Sequence, residues 1–129
     1  MDTYYYARTV DLPLDEAESR VTEALKEEGF GVLTEIDVKA TMKKKLDLDF
    51  RLYKILGACN PHFAHQVLEA EDKIGTMLPC NVIVQDAGDG KTEVAAVDPM
   101  ASMQAVDNEK LASVAHEVRD RLRRVISSL

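Results

Sequence analysis

The carboxyl-terminal part of this chain carries the pattern that most constrains its fold. Apolar residues recur every three or four positions from Leu111 to Leu129, and charged residues fill the positions between them. This spacing places the apolar side chains on one stripe of a single long helix. Arginines gather toward its end, where the helix dipole favours positive charge. Such a helix must bury its stripe, so the rest of the chain has to supply an apolar layer.

Segments rich in β-branched, aromatic and aliphatic residues predict the strands of that layer. They span residues 3–10, 31–37, 50–58, 81–85 and 92–97. The last two are separated by a short stretch that contains Gly88 and Gly90, which predicts a β-hairpin. The sheet should therefore be largely antiparallel at this point.

Three further helices are predicted between the strands. The first follows Pro13 and ends at Gly29, because glycine accepts the left-handed conformation of a helix end. A short helix begins after Asp37, a predicted N-cap. Another begins at Asn60-Pro61, where a capping side chain precedes a proline at the first helical position, and it should run to about Glu71.

The order of these elements predicts an α+β fold. One strand and one helix are followed by four strands, with two short helices inserted, and then by the long final helix. A two-layer sandwich, with helices on one face of a largely antiparallel sheet, buries every apolar face in this order, β-α-β-β-β-β-α. The length of 129 residues is typical of one domain, so we expect a single domain over residues 1–129.

Composition argues against several classes of function. The chain has 16 basic and 23 acidic residues and a net charge of −7, whereas a nucleic-acid binder needs a basic face. No apolar run approaches the roughly 20 residues that span a bilayer, so no membrane association is expected. The first residues show no signal peptide, which predicts a cytoplasmic protein. Two cysteines in that compartment do not indicate a disulfide framework.

The candidate site comprises two short segments, Cys59-Asn60 and Cys80-Asn81. Cys59 should lie at a helix amino terminus, where unpaired N–H groups and the helix dipole favour a thiolate. The alternative is that both cysteines are small core residues, because free cysteine is often buried.

A metal site is a further alternative. Cys59, His62 and His65 are three residues apart, Cys80 follows later, and together they could bind a borderline metal. A soft-metal variant would add methionines, namely Met77, Met100 or Met103. The sequence lacks the two tight ligand pairs of a structural zinc site, so we assign no metal, no cofactor and no catalytic residue.

Four ordered motifs resemble a known family. They are residues 29–39, 53–61, 78–82 and 96–100. Together these are similar to the domain of unknown function 302 family, and the similarity covers most of the chain. The resemblance implies a two-layer sandwich with the topology of half of the TATA-binding protein, and it implies a homodimer. It implies no activity. Matching positions are Asp37, Cys59, Asn60, Pro61, Pro79, Cys80 and Asn81.

These observations favour a small homodimeric binding domain over an enzyme. The hypothesis is that the two Cys-Asn segments converge on a small ligand, either an anion, a thiol compound or a soft metal. The candidate ligand-binding residues are Cys59, Asn60, Cys80, Asn81 and Asp37. The alternative is a thiol-dependent redox protein or enzyme that uses Cys59, with Cys80 as its resolving partner. A third possibility is that the cysteines are core residues and the partner is another protein.

Overall fold

A computed structural model describes residues 3–129 of the chain. Five strands form one antiparallel sheet in the spatial order β1-β5-β4-β3-β2. Their bounds are β1 Tyr5–Val10, β2 Gly31–Asp37, β3 Tyr53–Cys59, β4 Cys80–Gly88 and β5 Lys91–Val97. The predicted strands and the predicted hairpin between the last two are therefore confirmed.

Helices connect and cover these strands. They are α1 Leu14–Glu27, α2 Val38–Leu46, α3 Pro61–Ala70, α4 Pro99–Ser102 and α5 Glu109–Ser127. A single 3₁₀ turn, Ile74–Met77, follows α3. The described helices include none that is long and apolar enough to cross a membrane.

The core lies between one face of the sheet and the two long helices, α1 and α5. Val21 and Leu25 of α1 and Leu122 of α5 have no exposed surface, and they belong to the same cluster as Val82 and Val84 of β4. Each such side chain stabilises the fold by about 1.5–3 kcal/mol when it leaves water. This arrangement confirms the α+β sandwich that the sequence predicts.

A second, smaller cluster extends the helical layer beyond the end of the sheet. Val67 of α3, Ile74 of the 3₁₀ turn and Met103 pack against Leu111 and Ala115 from the first half of α5. The long final helix therefore serves two clusters, one over the sheet and one against α3. The region between the two clusters contains the candidate site.

The other face of the sheet is partly exposed. Its central row runs across all five strands, because the strand register aligns Ala7, Ala95, Ile83, Ile55 and Ile36. Ile36 in this row exposes 49% of its surface. Tyr5, two residues before Ala7 on β1, exposes 41%. We call this surface the open face.

Several strand boundaries differ from the sequence prediction, and one helix is additional to it. Strand β3 begins at Tyr53 rather than at residue 50, because the chain leaves α2 through a left-handed residue, Asp47, and needs several residues to return to the sheet. Strand β4 begins one residue early, at Cys80. Helix α4 was not predicted, although Asp98-Pro99 repeats the cap-proline pattern of Asn60-Pro61 and the Asp98 carboxylate accepts from the N–H of Met100 at 2.9 Å.

Candidate functional site

A cavity of about 360 Å³ opens where the two parts of the helical layer meet. Strands β3 and β4 contribute Ala58 and Cys80, helix α3 contributes Phe63 and Val67, and helix α5 contributes Val118. Cys59 and Asn60 also line it. Because it contains both cysteines, we call it the cysteine cavity.

Cys59 is the last residue of β3 and is partly exposed. The next residue, Asn60, caps α3: its side-chain oxygen accepts from the N–H of Phe63 at 3.4 Å, and Pro61 takes the first helical position. The predicted helix start is confirmed, and Cys59 directly precedes the Asn60 cap of α3. The local reason is that Asn60 ends the strand and opens the helix within one residue.

The side chain of Asn60 is only 7% exposed, and hydrogen bonds occupy both ends of its amide. In addition to the cap, its nitrogen donates to the carbonyl of Glu28 at 3.4 Å. The Arg121 guanidinium donates to the same carbonyl at 3.0 Å. Gly29 allows this approach, since a Cβ there would lie 2.8 Å from the Asn60 nitrogen. Asn60 thus joins the end of α1 to the start of α3.

Cys80 begins β4, directly opposite Ala58 of β3, and exposes only 9% of its surface. Burial, and secondarily the neighbouring Cys59, raises the pKa of the Cys80 thiol from 9.0 to about 11. Cys80 therefore stays a neutral thiol throughout the physiological pH range. The structure brings the two thiols to one cavity, as the sequence hypothesis requires, but it places them in different environments.

Asn81 does not join the other three residues of the Cys-Asn segments. Successive strand residues point to opposite faces of a sheet, so Cys80 faces the helical layer and Asn81 faces away from it. Asn81 is exposed and lines a shallow depression on the open face together with Tyr53 and Ile83.

Asp37 also lies apart from the cysteine cavity. The register pairs Gly31 with Cys59 at one end of β2 and Asp37 with Lys54 at the other, a separation along the strand of about 20 Å. There the Asp37 carboxylate accepts from the N–H of Ala40 at 2.9 Å and caps α2. Its position indicates a local structural role.

The proposed metal ligands are not brought together. His62 and His65 are exposed on α3, and the imidazole of His65 lies 3.3 Å from the Glu69 carboxylate. Within residues 3–129, no group of three or more His, Cys, Asp or Glu side chains is arranged to hold a metal ion. Of the three methionines in the soft-metal alternative, Met103 lines the cysteine cavity together with Cys59 and Cys80.

The far wall of the cavity was not foreseen from the sequence. Val114 and Val118 were predicted only as part of the core stripe of α5, and Pro99 and Met103 belong to the unpredicted turn around α4. Two sequence signals point to this wall: the Asp98-Pro99 pair, and Met103, which the soft-metal alternative groups with the two cysteines. The convergence of α4 with α3 follows from tertiary packing.

Fold and site together define a two-layer α+β domain with an apolar cavity at one end of its helical layer. The sequence profile described as "Domain of unknown function DUF302" matches residues 6–129, and the chain therefore belongs to this family. The resemblance stated from the four motifs is confirmed.

A solved structure supports the same assignment. The uncharacterized conserved protein DUF302 from Bacillus stearothermophilus superposes with a TM-score of 0.89 at 30% sequence identity, and the match covers 98% of each chain. None of the curated proteins compared with the chain matches it. These similarities establish fold and family, and they indicate no specific function.

Proposed function

We propose that this protein is a cytoplasmic binding domain that holds a small molecule in the cysteine cavity. The main support for this proposal is the cavity itself. Its volume of about 360 Å³ falls in the range of roughly 300–1,000 Å³ typical of ligand pockets. Two of the family-motif segments, around Cys59 and Cys80, meet at its wall.

The environment of Cys80 supports binding over the redox alternative. Thiol–disulfide exchange requires a thiolate, and a thiol whose pKa is raised to about 11 by burial is rarely ionised at neutral pH. Cys80 would therefore be a slow attacking group. Its burial among apolar side chains suits a cavity wall.

The test is an amide NMR screen with a fragment mixture that includes acidic, basic, polar and apolar compounds. We expect at least one compound to shift the resonances of cavity residues such as Ala64, Gly75 and Val118. Ala64→Phe, which fills the cavity from α3, should abolish those shifts. The matched variant Ala112→Phe, on the exposed side of α5, should retain them. A screen in which no compound perturbs the cavity would contradict the proposal.

We further propose that the protein forms a homodimer through the open face. The central row of that face has small side chains at one end, Ala7 and Ala95, and larger ones at the other, Ile55 and Ile36. A two-fold axis along the middle strand, at Ile83, would set the small end of one copy against the large end of its partner. This self-complementarity supports a second copy of the chain as the occupant.

Sedimentation equilibrium tests this association. We expect the wild-type protein to sediment as a dimer and Ile83→Lys to sediment as a monomer, because a charge would then be buried at the centre of the interface. Ala112→Lys, which adds the same charge on α5, should remain dimeric. A monomeric wild-type protein, or a dimeric Ile83→Lys variant, would rule out this interface.

A further inference from the structure

The lining of the cysteine cavity carries no charge. No Asp, Glu, Lys, Arg or His side chain of residues 3–129 contributes to its wall. Its surface consists mainly of aliphatic and aromatic groups from three helices, three strands and the segments that connect them, including Phe30, Phe63, Val67, Leu78 and Val118. A ligand charge placed in such an environment would lose its hydration without gaining a partner, which is strongly unfavourable.

Besides the Thr34 hydroxyl, the polar side chains at the cavity are already engaged or weak. The amide of Asn60 bonds to the N–H of Phe63 and to the carbonyl of Glu28, so the start of α3 is capped from within the chain. Cys80 is a buried thiol, which is a weak donor. An anion at this helix start would have to displace the existing cap.

The cation behind the cavity is also engaged. Arg121 lies over the ring of Phe63, with 5.1 Å between its guanidinium carbon and the ring centroid. Its nitrogens donate to the carbonyl of Glu28 and to the carboxylate of Glu117. Phe63 therefore presents an apolar ring to the cavity, while the charge of Arg121 is satisfied within the fold.

The mouth of the cavity is apolar as well. Leu33 exposes 69% of its surface and Leu68 exposes 42%, and both contribute to the lining. Such side chains at an entrance favour the passage of an apolar molecule from water. The volume of about 360 Å³ is about twice that of a 150 Å³ apolar cavity that binds benzene, so it suits two fused rings or an aliphatic chain of comparable size.

From these observations we infer that the ligand of the cysteine cavity is an uncharged, predominantly apolar molecule, either a two-ring aromatic compound or a medium-length aliphatic chain. This inference rests on the proposed function and narrows its ligand class. It replaces the anion that the sequence hypothesis included, because the helix start that would bind an anion is capped by Asn60. Under this inference, Cys59 and Cys80 contribute to the apolar wall of the cavity.

The direct test uses the uncharged dye N-phenylnaphthylamine, whose fluorescence rises in apolar surroundings. We expect saturable binding to the wild-type protein and an affinity at least about tenfold lower for Ala64→Phe. Ala112→Phe should bind as the wild type does. A second filling variant, Gly75→Phe, guards against misfolding of the first, since a Cβ at Gly75 meets only Leu68, at 3.9 Å. Far-ultraviolet circular dichroism verifies the fold of each variant.

Competition then separates the ligand classes. Decanol should displace the dye at lower concentration than decanoate, which has the same chain length but carries a charge. Cuprous ion, held in solution by a weak chelator, should not displace it. Stronger displacement by decanoate or by cuprous ion would overturn the inference in favour of an anion or a soft metal bound through Cys59, Cys80 and Met103.

Failure of this inference can be told apart from failure of the proposed function. If the dye does not bind, or binds equally well to both filling variants, the apolar ligand class is wrong. The fragment screen then decides about the cavity itself. Shifts caused only by charged fragments would preserve the binding site and reject the ligand class, whereas no shifts at all would reject both.

Discussion

The Cys59-Asn60 and Cys80-Asn81 segments share the same two residues and have different structures. In the first, the chain changes from strand to helix, so cysteine and asparagine both line the cysteine cavity and Asn60 is buried as a helix cap. In the second, the chain is a regular strand. Alternation therefore sends Cys80 into the cavity wall and Asn81 to the open face.

This difference shows that a shared dipeptide does not define a shared role. The backbone conformation around it decides which side of the sheet each side chain occupies. The cysteines also differ: Cys59 is partly exposed at a strand end, whereas Cys80 is buried between neighbours. This asymmetry should be measurable in the reactivity of the two cysteines and in the stability of their variants.

The first prediction concerns the reactivity of Cys80. Because its pKa is raised from 9.0 to about 11, the thiolate fraction near pH 8 should be about a hundredfold lower in the folded protein than in the unfolded chain. Alkylation with iodoacetamide, quantified by peptide mass spectrometry with and without urea, measures this ratio. Cys59 should react faster than Cys80 in the native protein, and equal rates for Cys80 in both states would contradict the asymmetry.

The second prediction is a loss of stability in alkali. A thiol whose pKa is higher in the folded state contributes fully below the unfolded pKa, and its contribution is lost as pH rises from 9.0 to about 11. The free energy of unfolding should fall by about 2–3 kcal/mol over this window through Cys80 alone. Urea titrations of the wild type and of Cys80→Ala at each pH isolate the contribution of Cys80 to the free energy of unfolding. The titrations of lysines and tyrosines are common to both proteins and cancel in the comparison. If the free energies of unfolding of the two proteins fell in parallel with pH, the loss could not be assigned to Cys80.

The third prediction compares the asparagines. Asn60→Ala removes the cap of α3 and one of two hydrogen bonds to the carbonyl of Glu28, and it should cost about 1–2 kcal/mol. Asn81→Ala removes an exposed side chain and should change the free energy of unfolding by less than about 0.5 kcal/mol. Urea unfolding of the two variants measures the difference. Equal costs would mean that Asn81 also has a buried partner.

The smallest effect is expected at Cys59. Its side chain is partly exposed and ends a strand, so Cys59→Ala should alter stability by less than about 0.5 kcal/mol. The same substitution at the buried Cys80 should cost more, because it leaves a gap in the cavity wall. Thermal unfolding at neutral pH is the appropriate measurement. A larger loss at Cys59 would indicate that its thiol has an energetic role in the fold.

Much of the fold could be predicted from local patterns. The stripe from Leu111 to Leu129 identified α5, and the Asn60-Pro61 pair located the start of α3 to the residue. The hairpin was indicated by its glycines, of which Gly88 and Gly90 adopt positive φ. These features succeed because helix periodicity, capping and turns depend on residues within a few positions of each other.

The site was predictable only in part. Cys59, Asn60 and Cys80 do meet, but Asn81 and Asp37 lie elsewhere, although the family motifs include them. Whether Asn81 faced the site depended on the register of β4 against β3, since the pairing decides which alternate residues face the helical layer. This register is set by contacts between the two strands, which a local pattern does not contain.

The amino-acid sequence by itself determined most of the elements, their order, the capped start of α3 and the apolar stripe of α5 that packs against the core. Only the tertiary structure decided that α3, α5 and the turn at Met103 enclose an apolar cavity, and that the two cysteines share its wall. The physical reason is distance along the chain. Helix periodicity is encoded by near neighbours, whereas a cavity arises from side chains that meet only when separate elements pack together.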